Sequence, residues 1–221
     1  MSVERPFDLV LFDLDGTLID SASQLALAVN RTLSDLGLAE ADEAVVRTWV
    51  GNGADKLIQR ALDYRDAPDL FAKARPLFDA HYRACLLEGL AMYDGVEQSL
   101  RRLQRLGYRQ AVVTNKPSHF VQPILDALGI SDCFALWLGG NCVPEKKPSP
   151  APLLHACHEL GVKPSRTLMV GDSENDVLAA QAAGMKVVGL TYGYNYGRPI
   201  ADSRPDWVCE QFAQLDALLA E

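Results

Sequence analysis

Residues 7–21, FDLVLFDLDGTLIDS, decide how the rest of the chain is read. The apolar run Leu9, Val10, Leu11, Phe12 stops at Asp13, Leu14, Asp15 and Gly16. An unbroken apolar run of this length, ending in a glycine turn, reads as a strand buried on both faces in a parallel sheet. Asp13 and Asp15 then fall at its carboxyl end, where open α/β sheets keep their ligand crevice. Two carboxylates this close disturb each other's protonation unless a cation or a donor compensates. A turn or a helix cap also accounts for the pair taken alone, because aspartate favours both.

Outward from this stretch, Ser21 and Gln24 are spaced as a capping box at the start of a helix. Leu25, Val29, Leu33 and Leu36 recur at helical spacing until Gly37 ends the pattern. Helical patterns continue over roughly 43–49, 54–64 and 68–87, with no β-rich run between them. After Tyr93-Asp94-Gly95 the pattern changes. Helices over 95–106, 118–128, 151–160 and 175–183 alternate with strands over 110–114, 134–138, 167–171 and 186–190. A short strand at 207–208 and a terminal helix complete the chain. Strict alternation predicts an α/β fold, a Rossmann-like parallel sheet with right-handed crossovers. Residues 1–17 and 93–221 make this core, and 18–92 form a helical insert placed directly after the aspartate turn.

The chain has 221 residues, enough for one sizeable domain or a core with a smaller module, and 48% are hydrophobic, too many for disorder. The net charge of −8 argues against nucleic acid or an anionic membrane surface as the main partner. A protein this acidic that handles a phosphate ester needs local positive charge from a metal ion and one or two lysines. Cys85, Cys133, Cys142, Cys157 and Cys209 are odd in number and scattered, without a CxxC pair, as expected of reduced thiols in the cytoplasm. No signal peptide or membrane-spanning run is apparent, and there is neither a GxGxxG nor a P-loop.

In a parallel sheet all carboxyl ends lie on one rim. Polar residues recur there: Asp13 and Asp15, then Thr114-Asn115-Lys116, then Lys146-Lys147-Pro148, then residues 171–176, GDSEND. Each segment alone could be a cap or a solvated loop; together they suit phosphoryl transfer. That reaction needs an in-line nucleophile, charge neutralisation on the phosphoryl oxygens and an acid for the leaving oxygen. Carboxylate and carbonyl oxygens suit a hard cation such as Mg²⁺. Asp13 and Asp172 are the candidates to share it, with Asp176 supporting them.

The segments DLDGT (13–17), Thr114-Asn115, Lys147-Pro148 and GDSEND resemble, in order, the four motifs of the haloacid dehalogenase superfamily. The helical insert resembles its type-1 cap. The resemblance implies that Asp13 attacks phosphorus to form an aspartyl-phosphate and that Asp15 acts as general acid and then base. It implies Mg²⁺ held by Asp13, the Asp15 carbonyl and Asp172, with Asp176 either a further ligand or a support behind them. Thr114 and the Asn115 amide would hold a phosphoryl oxygen, and Lys147, marked by its Lys-Pro pairing, would neutralise nucleophile and phosphate. An acid at position 15 points to a phosphatase or phosphomutase, since family dehalogenases lack it.

Within the insert, Trp49, Gly51, Asn52 and Gly53 form a loop that opens a helix, WVGNGA. Its free amides would suit a small anion, although a plain interhelical turn with a buried tryptophan fits the same letters. With YGYN (192–195) and DSRPD (202–206), this loop resembles a branch of the superfamily that hydrolyses 2-phosphoglycolate to glycolate and phosphate. The expected partner is a small phosphorylated metabolite, and the chain itself a monomer or homodimer. The rival readings are another small-molecule phosphatase, a β-phosphoglucomutase-like enzyme, and a non-catalytic phosphate-binding regulator.

Overall fold

The computed structural model describes residues 5–219. β1 (Leu9–Phe12) has no accessible side chain, as its unbroken apolar sequence requires. The chain then makes a two-residue strand, β2 (Ile19–Asp20), and enters four helices: α1 (Ala22–Asp35), α2 (Glu43–Arg47), α3 (Ala54–Asp63) and α4 (Phe71–Cys85). A single 3-10 turn, Pro68–Leu70, precedes α4, so the helical run expected over 68–87 begins with a tighter turn. The return strand β3 (Ala91–Met92) pairs antiparallel with β2, Ile19 opposite Met92. These paired dipeptides are too short to carry a two-residue periodicity, which is why the sequence pattern does not show them.

Helix α5 (Val96–Arg105), β4 (Arg109–Val113), α6 (Ser118–Ala127) and β5 (Leu136–Leu138) build one half of the sheet. Helix α7 (Ala151–Leu160), β6 (Thr167–Gly171), α8 (Glu174–Ala182), β7 (Lys186–Leu190), β8 (Trp207–Cys209) and α9 (Leu215–Leu218) build the other. The strand order is β5-β4-β1-β6-β7-β8, every pairing parallel. Phe12 lies opposite Val112 on one side and Val170 on the other. The order reverses beside β1, so the crevice at a topological switch point opens where β1 and β6 end.

Alternation along β1 divides the core. Leu9 and Leu11 join Leu153, Ala156, Val177 and Ala180 on one face. Val10 and Phe12 join Leu100, Phe120, Val121 and Phe212 on the other, and that cluster runs on into Leu25, Leu57 and Phe78 of the helical insert. The capping box expected of Ser21 and Gln24 does not form. Ser21 Oγ donates to Asp15 Oδ1 at 2.6 Å, and Gln24 Nε2 donates to the Glu88 carbonyl. A neighbouring carboxylate outcompetes a backbone amide as partner for the hydroxyl.

Candidate active site

The Asp13 amide donates to the Val170 carbonyl at 3.0 Å, which seats Asp13 beside the end of β6. Its Oδ1 accepts from Leu14 N at 2.7 Å and lies 3.0 Å from Lys147 Nζ, while no described residue donates to Oδ2. Lys147 Nζ also lies 2.7 Å from Asp176 Oδ1. The remaining Asp176 oxygen accepts from Ser173 N and Ser173 Oγ, closing a capping box at the start of α8. Asp172 accepts from Thr17 Oγ1 and from Tyr194 N, both at 2.6 Å. Gly16 turns the chain with φ +83°, and a Cβ there would lie 2.3 Å from Asp172 Oδ2, so this turn tolerates only glycine.

Asn115 ties the rim together. Its Oδ1 accepts from Lys147 N at 3.0 Å, and its Nδ2 donates to the Lys147 carbonyl at 2.9 Å and the Gly51 carbonyl at 3.0 Å. Thr114 is buried beside it, its hydroxyl accepting from Lys116 N. Asp15 faces away from Lys147. Its Oδ1 lies 2.8 Å from Lys116 Nζ, which also donates to the Tyr82 hydroxyl of α4 and sits 4.7 Å from that ring's centre.

Burial pushes the Asp13 carboxyl up to about 6, with Asp176 and Asp15 adding to the rise and Lys147 opposing it. Burial, then the charges of Asp176 and Asp13, raise Asp172 well above the usual carboxylate range. Burial works against the Lys147 ammonium, but Asp13 and Asp176 hold its pKa above the ordinary lysine value. When all four carboxyls (Asp13, Asp15, Asp172, Asp176) are ionised they outnumber the two ammonium groups (Lys116, Lys147) by two negative charges. Burial and this excess together raise Asp13 and Asp172 in the absence of a cation. Oxygens of Asp13, Asp172 and Asp176 lie within 4.8 Å of one another, all buried. An all-oxygen donor set with this charge fits a hard divalent cation.

A cavity of about 40 Å³ extends from this cluster toward the insert. Asp13, Asp15, Thr114, Asn115, Gly51 and Gly53 line it. Trp49 lies outside that lining and packs on Tyr64 at 5.3 Å between ring centres. Asn52 is also outside: it accepts from Arg60 at 2.8 Å and donates to Asn175 Oδ1 at 3.4 Å. The insert loop therefore meets the rim mainly through the Gly51 carbonyl, shared by Asn115 and Asn175.

The sequence reading did not assign roles to Thr17, Tyr82, Lys116, Ser173, Asn175 or Tyr194. Thr17, Ser173 and Asn175 stand inside the quoted motifs and Lys116 adjoins one, so position could have drawn them in. Tyr82 sits in an ordinary amphipathic helix and carries no local signal.

A family model for haloacid dehalogenase-like hydrolases matches residues 7–184. The chain belongs to the haloacid dehalogenase-like hydrolases. It is 49% identical over 214 residues to a phosphoglycolate phosphatase of Colwellia psychrerythraea, covering 94% of this chain and 95% of that protein. A phosphoglycolate phosphatase of Pasteurella multocida is 48% identical over 220 residues, covering 96% and 98%. Among solved structures, a predicted phosphoglycolate phosphatase from Haemophilus somnus superposes with a TM-score of 0.93 at 46% identity, covering 96% of this chain and 98% of its own. The family-model match ends at residue 184, so Tyr194, whose amide holds Asp172 Oδ2, lies outside that match but within the nearly full-length similarity to these relatives.

Proposed function

We propose that this hydrolase cleaves small phosphomonoesters, 2-phosphoglycolate foremost, through a covalent phosphate on Asp13. Asp13 Oδ2 attacks phosphorus as the bond to the leaving oxygen breaks. The electron pair stays with that oxygen, and Asp15 delivers its proton. Asp15 then takes a proton from the attacking water, and the second displacement returns Asp13 as a free carboxylate. Lys147 holds Asp13 and steadies the phosphoryl charge. Thr114 and the Asn115 backbone amide position one phosphoryl oxygen. Asp13, the Asp15 carbonyl and Asp172 would hold Mg²⁺, with Asp176 fixing Lys147 and the start of α8. When bound, the ion supplies charge neutralisation on the phosphoryl oxygens.

The observation that carries this reading is the split environment of two acids two positions apart. Asp13 shares its oxygen with Lys147 in a buried acidic cluster, while Asp15 turns to Lys116 and Ser21. That division gives one carboxylate to attack and another to move protons. Residues 18–92 act as the cap that selects the leaving group. The substrate itself is supported by the names of relatives with nearly full coverage.

The five cysteines are unpaired, and no helix among the described residues is long and apolar enough to cross a membrane. Both fit an enzyme of the reducing cytoplasm. A panel of small phosphorylated acids and sugars, assayed with Mg²⁺ and with EDTA, tests the reading. Metal-dependent release of phosphate with 2-phosphoglycolate as best substrate supports it; turnover of glucose 1-phosphate to its isomer replaces it with a mutase.

A further inference from the structure

Lys116 is the one cationic side chain among the described residues lining the cavity. Its ammonium is buried, 2.8 and 3.1 Å from the two Asp15 oxygens, and bonded to the Tyr82 hydroxyl. The lining beyond it is apolar: Leu25, Leu57, Phe78 and Phe120. We infer that Lys116, with the Tyr82 hydroxyl, forms the subsite for a substrate carboxylate. The chain is thereby selective for phosphomonoesters bearing an acid one carbon from the ester oxygen. This inference rests on the phosphatase reading and names what that site recognises.

The geometry follows from Asp15. A group that gives its proton to the leaving oxygen must lie within hydrogen-bond reach of it. Lys116 Nζ is bonded to the same carboxylate, so the ammonium stands within reach of a group one carbon beyond that leaving oxygen. An apolar-walled cavity strengthens that contact, because little water competes for the charge. The Tyr82 hydroxyl gives the anion a second polar neighbour, and it comes from the insert, so core and insert each build half of the subsite.

The other cations near the insert, Arg60, Arg47 and Lys146, lie outside the cavity lining. Arg60 donates to the Trp49 carbonyl and Asn52 and lies over the Tyr196 ring. Arg47 pairs with Asp20 and Glu43 and covers Tyr194. Lys146 Nζ comes near Gly53, 3.3 Å from where a Cβ would sit, but it does not line the cavity. Lys146 is therefore the rival that an experiment must separate from Lys116.

The test compares kcat/KM for 2-phosphoglycolate and for ethyl phosphate, which has the same length without the acid. It uses the full chain with Mg²⁺ and the variants Lys116→Gln, Tyr82→Phe and Lys146→Met. Lys116→Gln is expected to cut the acid-to-ethyl preference about 10- to 100-fold, the worth of one charge-assisted hydrogen bond. Tyr82→Phe removes only a hydroxyl and keeps the test alive if the lysine variant does not fold; it should cut the preference roughly 3- to 10-fold. Lys146→Met should leave the preference as it is. Equal losses on both esters in Lys116→Gln and Tyr82→Phe, or the larger drop in Lys146→Met, overturn the subsite. A wild-type chain that cleaves p-nitrophenyl phosphate without preferring the acid overturns the subsite alone. One that cleaves no phosphomonoester overturns the phosphatase reading itself.

Discussion

The sheet rim and the 49–54 loop meet at one cavity and are held by different forces. At the rim, carboxylates and ammonium groups pair in near-complete burial, as in Lys147 with Asp13 and Asp176. The loop docks through neutral bonds, chiefly one carbonyl of Gly51 shared by two asparagines. Charged groups in a dry site act on a reacting phosphate far more strongly than neutral hydrogen bonds do. The difference teaches where chemistry and selection reside: reaction at the rigid strand ends, choice of leaving group on the more weakly tethered side.

The largest expected effect breaks the rim. Asp13→Asn should reduce turnover to the background of the assay, a loss of at least about 10³-fold, in a chain that still folds; residual steady-state activity would remove the nucleophile assignment. The same variant carries a pH signature in EDTA. The Asp13 carboxyl is raised from 3.8 to about 6, so its contribution is whole below about pH 4 and lost as pH rises through 6. Asp13→Asn should therefore stabilise the metal-free chain at pH 7 by on the order of 3 kcal/mol. That gain should shrink toward pH 4, as read by urea unfolding.

Asp15→Asn should lower kcat by roughly 10²- to 10⁴-fold, with slow phosphorylation still detectable by rapid quench; an unchanged rate would assign proton transfer elsewhere. Asp172→Ala should raise the Mg²⁺ concentration needed for activity about 10- to 100-fold, checked by titrating the metal at saturating substrate. On the loop side the effects fall. Asn115→Ala removes bonds to both Gly51 and Lys147 and should cost about 1–3 kcal/mol in urea unfolding. Trp49→Ala, whose ring lies on Tyr64 outside the cavity, should change the preference between phosphorylated acids by less than about threefold, because a side chain that does not touch the bound ester gives little differential binding. A large change there would move selection back onto the loop side chains.

The same contrast explains what could be read from the letters. β1 and the rim segments were legible because buried parallel strands and strand-end polar groups leave local patterns. Ser21 was read as a cap because its neighbours in sequence favour one, yet its hydroxyl faces Asp15. The link from Asp15 through Lys116 to Tyr82 joins three segments that only the packing of α4 on the core brings together. No spacing rule reports a contact of that kind. The β2–β3 pair was invisible for the opposite reason: four residues carry no period.

That small antiparallel pair has a consequence of its own. Because the chain departs at Ile19–Asp20 and comes back at Ala91–Met92 on adjoining strands, everything between hangs from a single doorway. A graft that exchanges residues 21–90 for the equivalent piece of a relative would leave the strand order of the main sheet untouched. Evolution, or an engineer, can thus trade one lid for another while the furnace beneath keeps burning.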